Sequence, residues 1–145
     1  MKIFMEPTDS QETEVIIKGN LTTPEVAALL TFINTKSAPT KFTLYKDDEQ
    51  YFVDTKDIVS FEVAGGSVHV KTTTDQYCSK QKLYEIKESL ATEPFAQINK
   101  STIVNIDFVK SVSAEFSGNY TLRLKCSKET MTISRKYMKE FKDKI

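Results

Sequence analysis

From Lys41 onward, the sequence is divided into short runs in which apolar residues occupy every second position, separated by groups of turn-forming residues. In one such run, Tyr120, Leu122 and Leu124 alternate with polar side chains. This period of two is typical of β-strands with one buried face. The turn-forming groups are Asp47-Asp48-Glu49, Ala64-Gly65-Gly66 and Ser117-Gly118-Asn119, and glycine permits the positive φ angles of tight hairpins. The pattern therefore predicts antiparallel hairpins and gives no sign of strand–helix–strand crossovers.

Two segments depart from this alternation and show the period of a helix. Residues 79–90 place Leu83, Ile86 and Leu90 on one face, and Pro94 follows their end. A second predicted helix ends the sequence, and one of its sides carries Tyr137, Met138, Phe141 and Ile145. The expected fold class of residues 41–145 is therefore mostly β with short helices.

Residues 1–40 form a separate segment with a different pattern. Two strand-like runs, residues 2–6 and 14–18, precede a helix for which Thr23 is the expected N-cap and Pro24 the first residue. Its apolar stripe, at positions i, i+3, i+4 and i+7, is formed by Val26, Leu29, Leu30 and Ile33. We expect a small β-β-α segment whose stripe packs on its own strands or on a second copy of the chain, because an exposed apolar patch usually marks an interface.

The composition, 39% hydrophobic and 28% charged over 145 residues, is that of a soluble globular protein. No apolar run is long enough to span a membrane and no basic-then-apolar leader is seen, so a cytoplasmic location is expected. Cys78 and Cys126 are isolated and are expected to be free thiols. The net charge is zero, yet residues 95–145 carry ten basic and five acidic side chains. This asymmetry permits a basic face toward phosphates, although charge blocks of this size also arise by chance.

The polar residues do not form the sets that catalysis requires. His69 is the only histidine, so a cluster of imidazoles that binds a metal is not expected. A nucleophile activated by histidine would have to use His69, and no nucleophile-elbow motif is present. A surface or structural role is the expected one for His69. No glycine-rich phosphate loop is present, and Asp47-Asp48-Glu49 has the character of a solvated turn. We therefore expect no enzyme activity, no cofactor and no metal.

Three segments, in their order and spacing, carry a resemblance to a known family. They are residues 57–62 (DIVSFE) with the following strand 68–70, residues 95–105 (FAQINKSTIVN), and residues 131–137 (MTISRKY). Together they resemble the LytTR domain over residues 41–145. The resemblance implies an elongated, multi-sheet fold of ten strands, preceded here by the β-β-α segment. Family members bind DNA with loops and strand ends on one edge and recognise repeated half-sites.

The resemblance also implies which residues approach DNA. Lys100 and Arg135 are the implied base-approaching side chains, and we expect them on one edge of the fold together with Lys136. The full implied set is Gly65, Gly66, Ser67, Val68, Lys100, Ser101, Ser134, Arg135 and Lys136. Asn99 and Thr102 depart from the histidine and aromatic residue that are usual at their positions, which leaves the sequence preference open. Asn105, in the same motif, is expected to be a buried, hydrogen-bonded turn-former.

The expected function is that of a sequence-specific double-stranded DNA-binding transcription regulator of bacterial LytTR type, without a receiver domain. The alternative is a protein-interaction module or antagonist on the same fold that has lost DNA binding. Residues 1–40 are open to three roles: a homodimer interface, a structural cap, or, by analogy with some family members, a docking surface for a membrane-bound inhibitor.

Overall fold

The computed structural model describes residues 1–35 and 39–145 and contains two compact units, Met1–Lys36 and Ser37–Ile145. In the first unit, the predicted helix runs from Pro24 to Thr35 and is α1. Thr23 acts as its N-cap, because its Oγ1 accepts a hydrogen bond from the backbone N–H of Val26 at 3.5 Å.

The two strands predicted before α1 are not formed, and this part of the prediction is wrong. Residues 2–6 and 14–18 belong to no strand or bridge. Ile3, Phe4 and Ile16 lie largely exposed, so no apolar face covers a hairpin here. An isolated pair of strands without a third strand or a helix against it is marginally stable in water. Alternation of apolar and polar residues within residues 1–20 is therefore not enough to predict a strand.

The apolar stripe of α1 is only partly covered. Val26 is buried and Leu29 is half-buried, whereas Leu30 is 48% and Ile33 40% exposed. Packing of the stripe on strands of the same segment is excluded, because those strands do not exist. Packing on a second copy of the chain stays a prediction.

The second unit is mostly β, and its described residues, 39–145, contain ten antiparallel strands in two sheets. The strands are β1 Lys41–Lys46, β2 Glu49–Asp54, β3 Ile58–Ala64, β4 Ser67–Thr72, β5 Gln76–Ser79, β6 Phe95–Asn99, β7 Thr102–Asn105, β8 Val109–Ala114, β9 Tyr120–Leu124 and β10 Thr130–Ile133. The seven-stranded sheet has the order β2-β1-β5-β4-β3-β7-β6, and the three-stranded sheet has the order β10-β9-β8. The predicted fold class of this unit is confirmed.

The hairpins form where the turn residues predict them. Between β1 and β2, Asp47 and Asp48 have φ angles of 50° and 66°, the left-handed pair that a two-residue hairpin loop requires. Between β3 and β4, Gly65 and Gly66 have φ angles of 59° and 79°. The third predicted turn joins β8 and β9.

Two helices lie in this unit. Helix α2 spans Leu83–Ser89 and buries Ile86, with Leu90 buried just beyond its end. It starts four residues later than predicted, because Ser79 is still paired with Val68 as the last residue of β5. Helix α3 spans Met138–Lys144 and buries Met138 and Phe141. Ile145, predicted on the same side, is exposed.

Two hydrophobic cores lie on opposite faces of the seven-stranded sheet. The first is built around Phe61 and Ile103 and includes Ile86 of α2. The second contains Val59 and Val104 together with residues of the three-stranded sheet and of α3. Successive side chains of a strand point to opposite faces, so β3 and β7 each contribute to both cores.

Polar contacts fix α3 against the end of α2. The Lys87 Nζ lies 3.3 Å from Glu140 Oε1. The Lys144 Nζ donates hydrogen bonds to the carbonyl oxygens of Ala91 and Glu93 at 3.0 and 3.3 Å. Partial burial lowers the pKa of Lys144 below its ordinary value, as expected for an ammonium group removed from water.

Cys78 and Cys126 are both exposed free thiols, as predicted. Within residues 1–35 and 39–145, no helix has the length and apolar character needed to cross a membrane. The same described residues contain no group of three or more histidine, cysteine or carboxylate side chains arranged to hold a metal ion.

Candidate functional site

Several turns meet at one end of the seven-stranded sheet. Strand β3 runs into the Gly65-Gly66 turn, and Glu62 near its end is paired with Thr102, the first residue of β7. The turn between β6 and β7, Lys100-Ser101, therefore lies beside the end of β3. A hydrogen bond from the Val63 N–H to the Ser101 carbonyl oxygen, 2.8 Å long, joins the two.

The first turn offers backbone rather than side chains. A Cβ atom built on Gly65 or Gly66 would meet no atom within 4 Å, so both residues border open space. Ser67 is exposed, whereas Val68 is only 5% exposed and belongs to the first core. Val68 was among the residues implied to approach DNA, but its side chain faces inward because it sits one position after Ser67 on a strand.

The second turn is organised by Asn99. Its Oδ1 accepts hydrogen bonds from the backbone N–H and the Oγ of Ser101, at 2.9 and 3.0 Å. Its Nδ2 donates to the carbonyl oxygen of Thr132 at 3.0 Å. Asn99 therefore fixes the turn and ties it to β10. Lys100 is exposed at the tip, and the Ser101 hydroxyl is half-buried with its proton directed to Asn99.

The segment that carries Arg135 runs beside this second turn. The Ser134 N–H donates to the carbonyl oxygen of Ile98 at 2.8 Å, two residues before Lys100. Ser134 precedes a 3-10 turn, Arg135–Tyr137, which leads into α3, and its side chain makes no cap hydrogen bond there. Arg135 and Lys136 are both exposed. The hydrogen bonds at Ile98 and Thr132 thus hold the middle and last motifs side by side.

The charges at this end of the sheet are not neutralised by ion pairs. Among the described residues, the four ion pairs use Lys41, Lys46, Lys71 and Lys87. Lys100, Arg135 and Lys136 take part in none of them. Three exposed cations on neighbouring segments form a surface suited to phosphate groups and to base edges.

Sequence reasoning missed two further cations. Strand β5 ends at this end of the sheet, because Ser79 is paired with Val68, and Lys80 and Lys82 follow directly. Both are exposed, and the Lys80 Nζ lies 4.2 Å from the centre of the Tyr45 ring. The signal was weak, since two lysines after a short strand are common on any surface. Only the strand register places them here.

Asn105 has a structural role, and His69 lies close to two polar groups. Asn105 is buried, donates from Nδ2 to the Ile58 carbonyl oxygen at 2.8 Å, and accepts from the Asp107 N–H at 3.0 Å. This confirms the expected buried turn-former. The His69 Nε2 lies 3.2 Å from the Ala64 carbonyl oxygen, and its Nδ1 lies 3.7 Å from the Cys78 Sγ.

Comparisons with known proteins identify the family. Residues 48–145 match the family model described as the LytTr DNA-binding domain. The chain is 30% identical over 109 residues to the sensory transduction protein LytT of Bacillus subtilis; the match covers 75% of this chain and 45% of that protein. It is 24% identical over 145 residues to an uncharacterized HTH-type transcriptional regulator of Staphylococcus aureus, covering 100% of this chain and 97% of that protein.

A solved structure has the same fold. The LytTr DNA-binding domain of a Bacillus cereus protein superimposes with a TM-score of 0.68 and 20% sequence identity. The match covers 73% of this chain and 96% of that one.

Proposed function

The chain belongs to the LytTR family of DNA-binding domains, and from this premise we propose that it is a transcription regulator that binds specific sequences in double-stranded DNA. One observation carries the proposal: hydrogen bonds join the β3–β4 turn, the β6–β7 turn and the Arg135 segment at one end of the sheet. Lys100, Arg135 and Lys136 are exposed there and take part in none of the four ion pairs that the described part of the chain contains. Helices α2 and α3 are separated by five strands, so the proposed readout uses turns rather than a helix-turn-helix unit.

The exposed groups divide into two proposed roles. Arg135 is the proposed base reader, because a guanidinium can donate two parallel hydrogen bonds to guanine O6 and N7. Lys100 is suited to a base edge or a phosphate as a single charge. Lys136, Ser67 and the backbone of Gly65 and Gly66 are suited to phosphate oxygens, which set register rather than sequence.

The first test is the salt dependence of binding. Lys136→Ala is expected to weaken binding to all DNA sequences alike and to make the slope of log affinity against log salt shallower by about one unit, because one phosphate contact is lost. The measurement is a salt titration of binding to genomic DNA fragments by fluorescence anisotropy.

Lys56→Ala is the matched control. Lys56 is also exposed, but it precedes β3 and so lies at the end of that strand opposite the Gly65-Gly66 turn. Its slope should equal that of the unmodified protein. Equal slopes for the unmodified protein, Lys136→Ala and Lys56→Ala would show that Lys136 does not contact a phosphate.

For the N-terminal unit we propose a role as an interface between two copies of the chain, which would suit repeated half-sites in DNA. The exposed fractions of Leu30 and Ile33 support it, as does the exposure of Ile3, Phe4 and Ile16. The other candidate occupant of this apolar surface is the membrane-bound inhibitor suggested by analogy.

Removing residues 1–38 is expected to change the oligomeric state measured by sedimentation velocity. The truncation stops there because the carbonyl oxygens of Pro39 and Thr40 accept hydrogen bonds from the Thr55 side chain and backbone, at 2.7 and 3.0 Å. An identical oligomeric state in the full and truncated proteins would contradict the dimer interface and leave the inhibitor as the candidate occupant.

A further inference from the structure

The turn between β8 and β9, residues 115–119, is stiffened by its own hydrogen bonds. The Glu115 N–H donates to the Asn119 carbonyl oxygen at 2.9 Å, and the Gly118 N–H donates to the Glu115 carbonyl oxygen at 3.2 Å. The Glu115 carboxylate also accepts hydrogen bonds from the hydroxyls of Ser117 and Thr121. None of the three segments that carry the family resemblance includes this turn.

Arg135 lies directly on this turn. Its backbone N–H donates to the Oδ1 of Asn119 at 3.2 Å. Its side chain crosses Gly118: a Cβ atom built there would lie 3.3 Å from the Arg135 Nη1, 3.6 Å from Cδ and 3.8 Å from Cζ. Gly118 also has a φ angle of 90°, which side-chain-bearing residues rarely adopt. The absent side chain of Gly118 therefore leaves the space in which the guanidinium rests.

The contact matters because a free arginine side chain is flexible. Ordering a long side chain at an interface costs entropy, and a group held in place before binding avoids part of that cost. A bidentate contact also requires the planar guanidinium at a defined angle to the base. The hydrogen-bonded turn lies against the Arg135 side chain and limits the space open to it.

We propose that the β8–β9 turn is a specificity element, in which Asn119 and Gly118 are positioning residues that aim Arg135 at its base pair. Asn119 fixes the start of the Arg135 backbone, and Gly118 fixes the path of the side chain. The proposal rests on the proposed function, since it assumes that Arg135 reads DNA.

The test compares specific with non-specific binding. Asn119→Ala and Gly118→Ala are each expected to lower the ratio of specific to non-specific affinity about tenfold, a loss in the range of one misplaced bidentate contact. The slope of log affinity against log salt should stay unchanged, because no phosphate contact is removed. Asn119→Asp keeps the oxygen that accepts from the Arg135 N–H and is expected to retain more of the ratio than Asn119→Ala, while its added negative charge lowers affinity for all DNA. The Asn119 variants also decide the matter if strain at Gly118 prevents folding.

Two further measurements separate positioning from a general structural effect. In an Arg135→Ala background, Asn119→Ala should cost no further discrimination, because its effect passes through Arg135. In the free protein, the NMR resonance of the Arg135 Nε–Hε group should shift and sharpen in Gly118→Ala, as its side chain gains mobility. Neither result is expected of a turn that only contributes stability.

The outcomes distinguish this inference from the proposed function. If the unmodified protein shows no specific DNA binding, the proposed function fails and the inference fails with it. If the unmodified protein discriminates between sequences and both turn variants discriminate equally well, the inference alone is overturned. An equal loss from Asn119→Ala with and without Arg135 also overturns it.

Discussion

Replacing Phe141 with alanine is expected to lower the free energy of unfolding by about 3–5 kcal/mol, the usual cost of removing a large aromatic side chain from a core. Phe141 is 1% exposed and belongs to the core between the seven-stranded sheet and the three-stranded sheet. Two contributions make up this loss: the free energy gained by transferring the ring from water into the core, and the cost of the cavity that the smaller side chain leaves. Denaturant unfolding followed by circular dichroism measures it.

Phe116→Ala is the matched control for Phe141→Ala, since the same ring is removed from a fully exposed position in the β8–β9 turn. Its free energy of unfolding should stay close to that of the unmodified protein. If the two phenylalanine variants proved equally stable, α3 would not be anchored through Phe141.

Arg135→Ala is expected to cost about 1–3 kcal/mol of binding free energy on a specific site and to relax discrimination at one base pair, because a bidentate base contact is lost. Affinity for non-specific DNA should fall far less. Competition binding with DNA duplexes changed at single base pairs measures both quantities.

Arg123→Ala is the matched arginine control. Arg123 is exposed on β9, and its strand partners are Thr130 and Ser111 rather than residues of the Arg135 segment. Discrimination should be intact in this variant. A protein without measurable DNA affinity at low salt, or one indifferent to Arg135→Ala, does not use this residue to read DNA. The interaction-module alternative would then replace the proposed function.

The parts of the fold that the sequence predicted well depend on local chemistry. Gly65-Gly66 and Asp47-Asp48 mark hairpin turns because these residues tolerate positive φ. The alternation of residues 120–124 marks β9 because one face of that strand is buried. The errors have non-local causes. Ser79 stays in a strand because it pairs with Val68, and residues 2–6 form no strand because nothing covers them.

In the candidate site, too, local sequence predicts some features, and contacts between distant residues decide the others. The family motif points to Lys100 and Arg135 in the sequence, but it does not tell which neighbouring side chains face the core, as that of Val68 does. The contact between Asn119 and Arg135 joins residues 16 positions apart on different elements. A turn-forming asparagine carries no local sign of such a partner.

The position of β3 between the two cores has a consequence for how the DNA-binding unit is lost under stress. Val59 and Phe61 anchor one strand in both hydrophobic layers, so melting of either layer removes support from the other. We therefore expect intermediates that retain one layer alone to be disfavoured, and residues 39–145 to unfold in a single transition. The proposed DNA-binding surface is then expected to be lost in the same transition as the two cores, since the turns that form it are carried by strands of both.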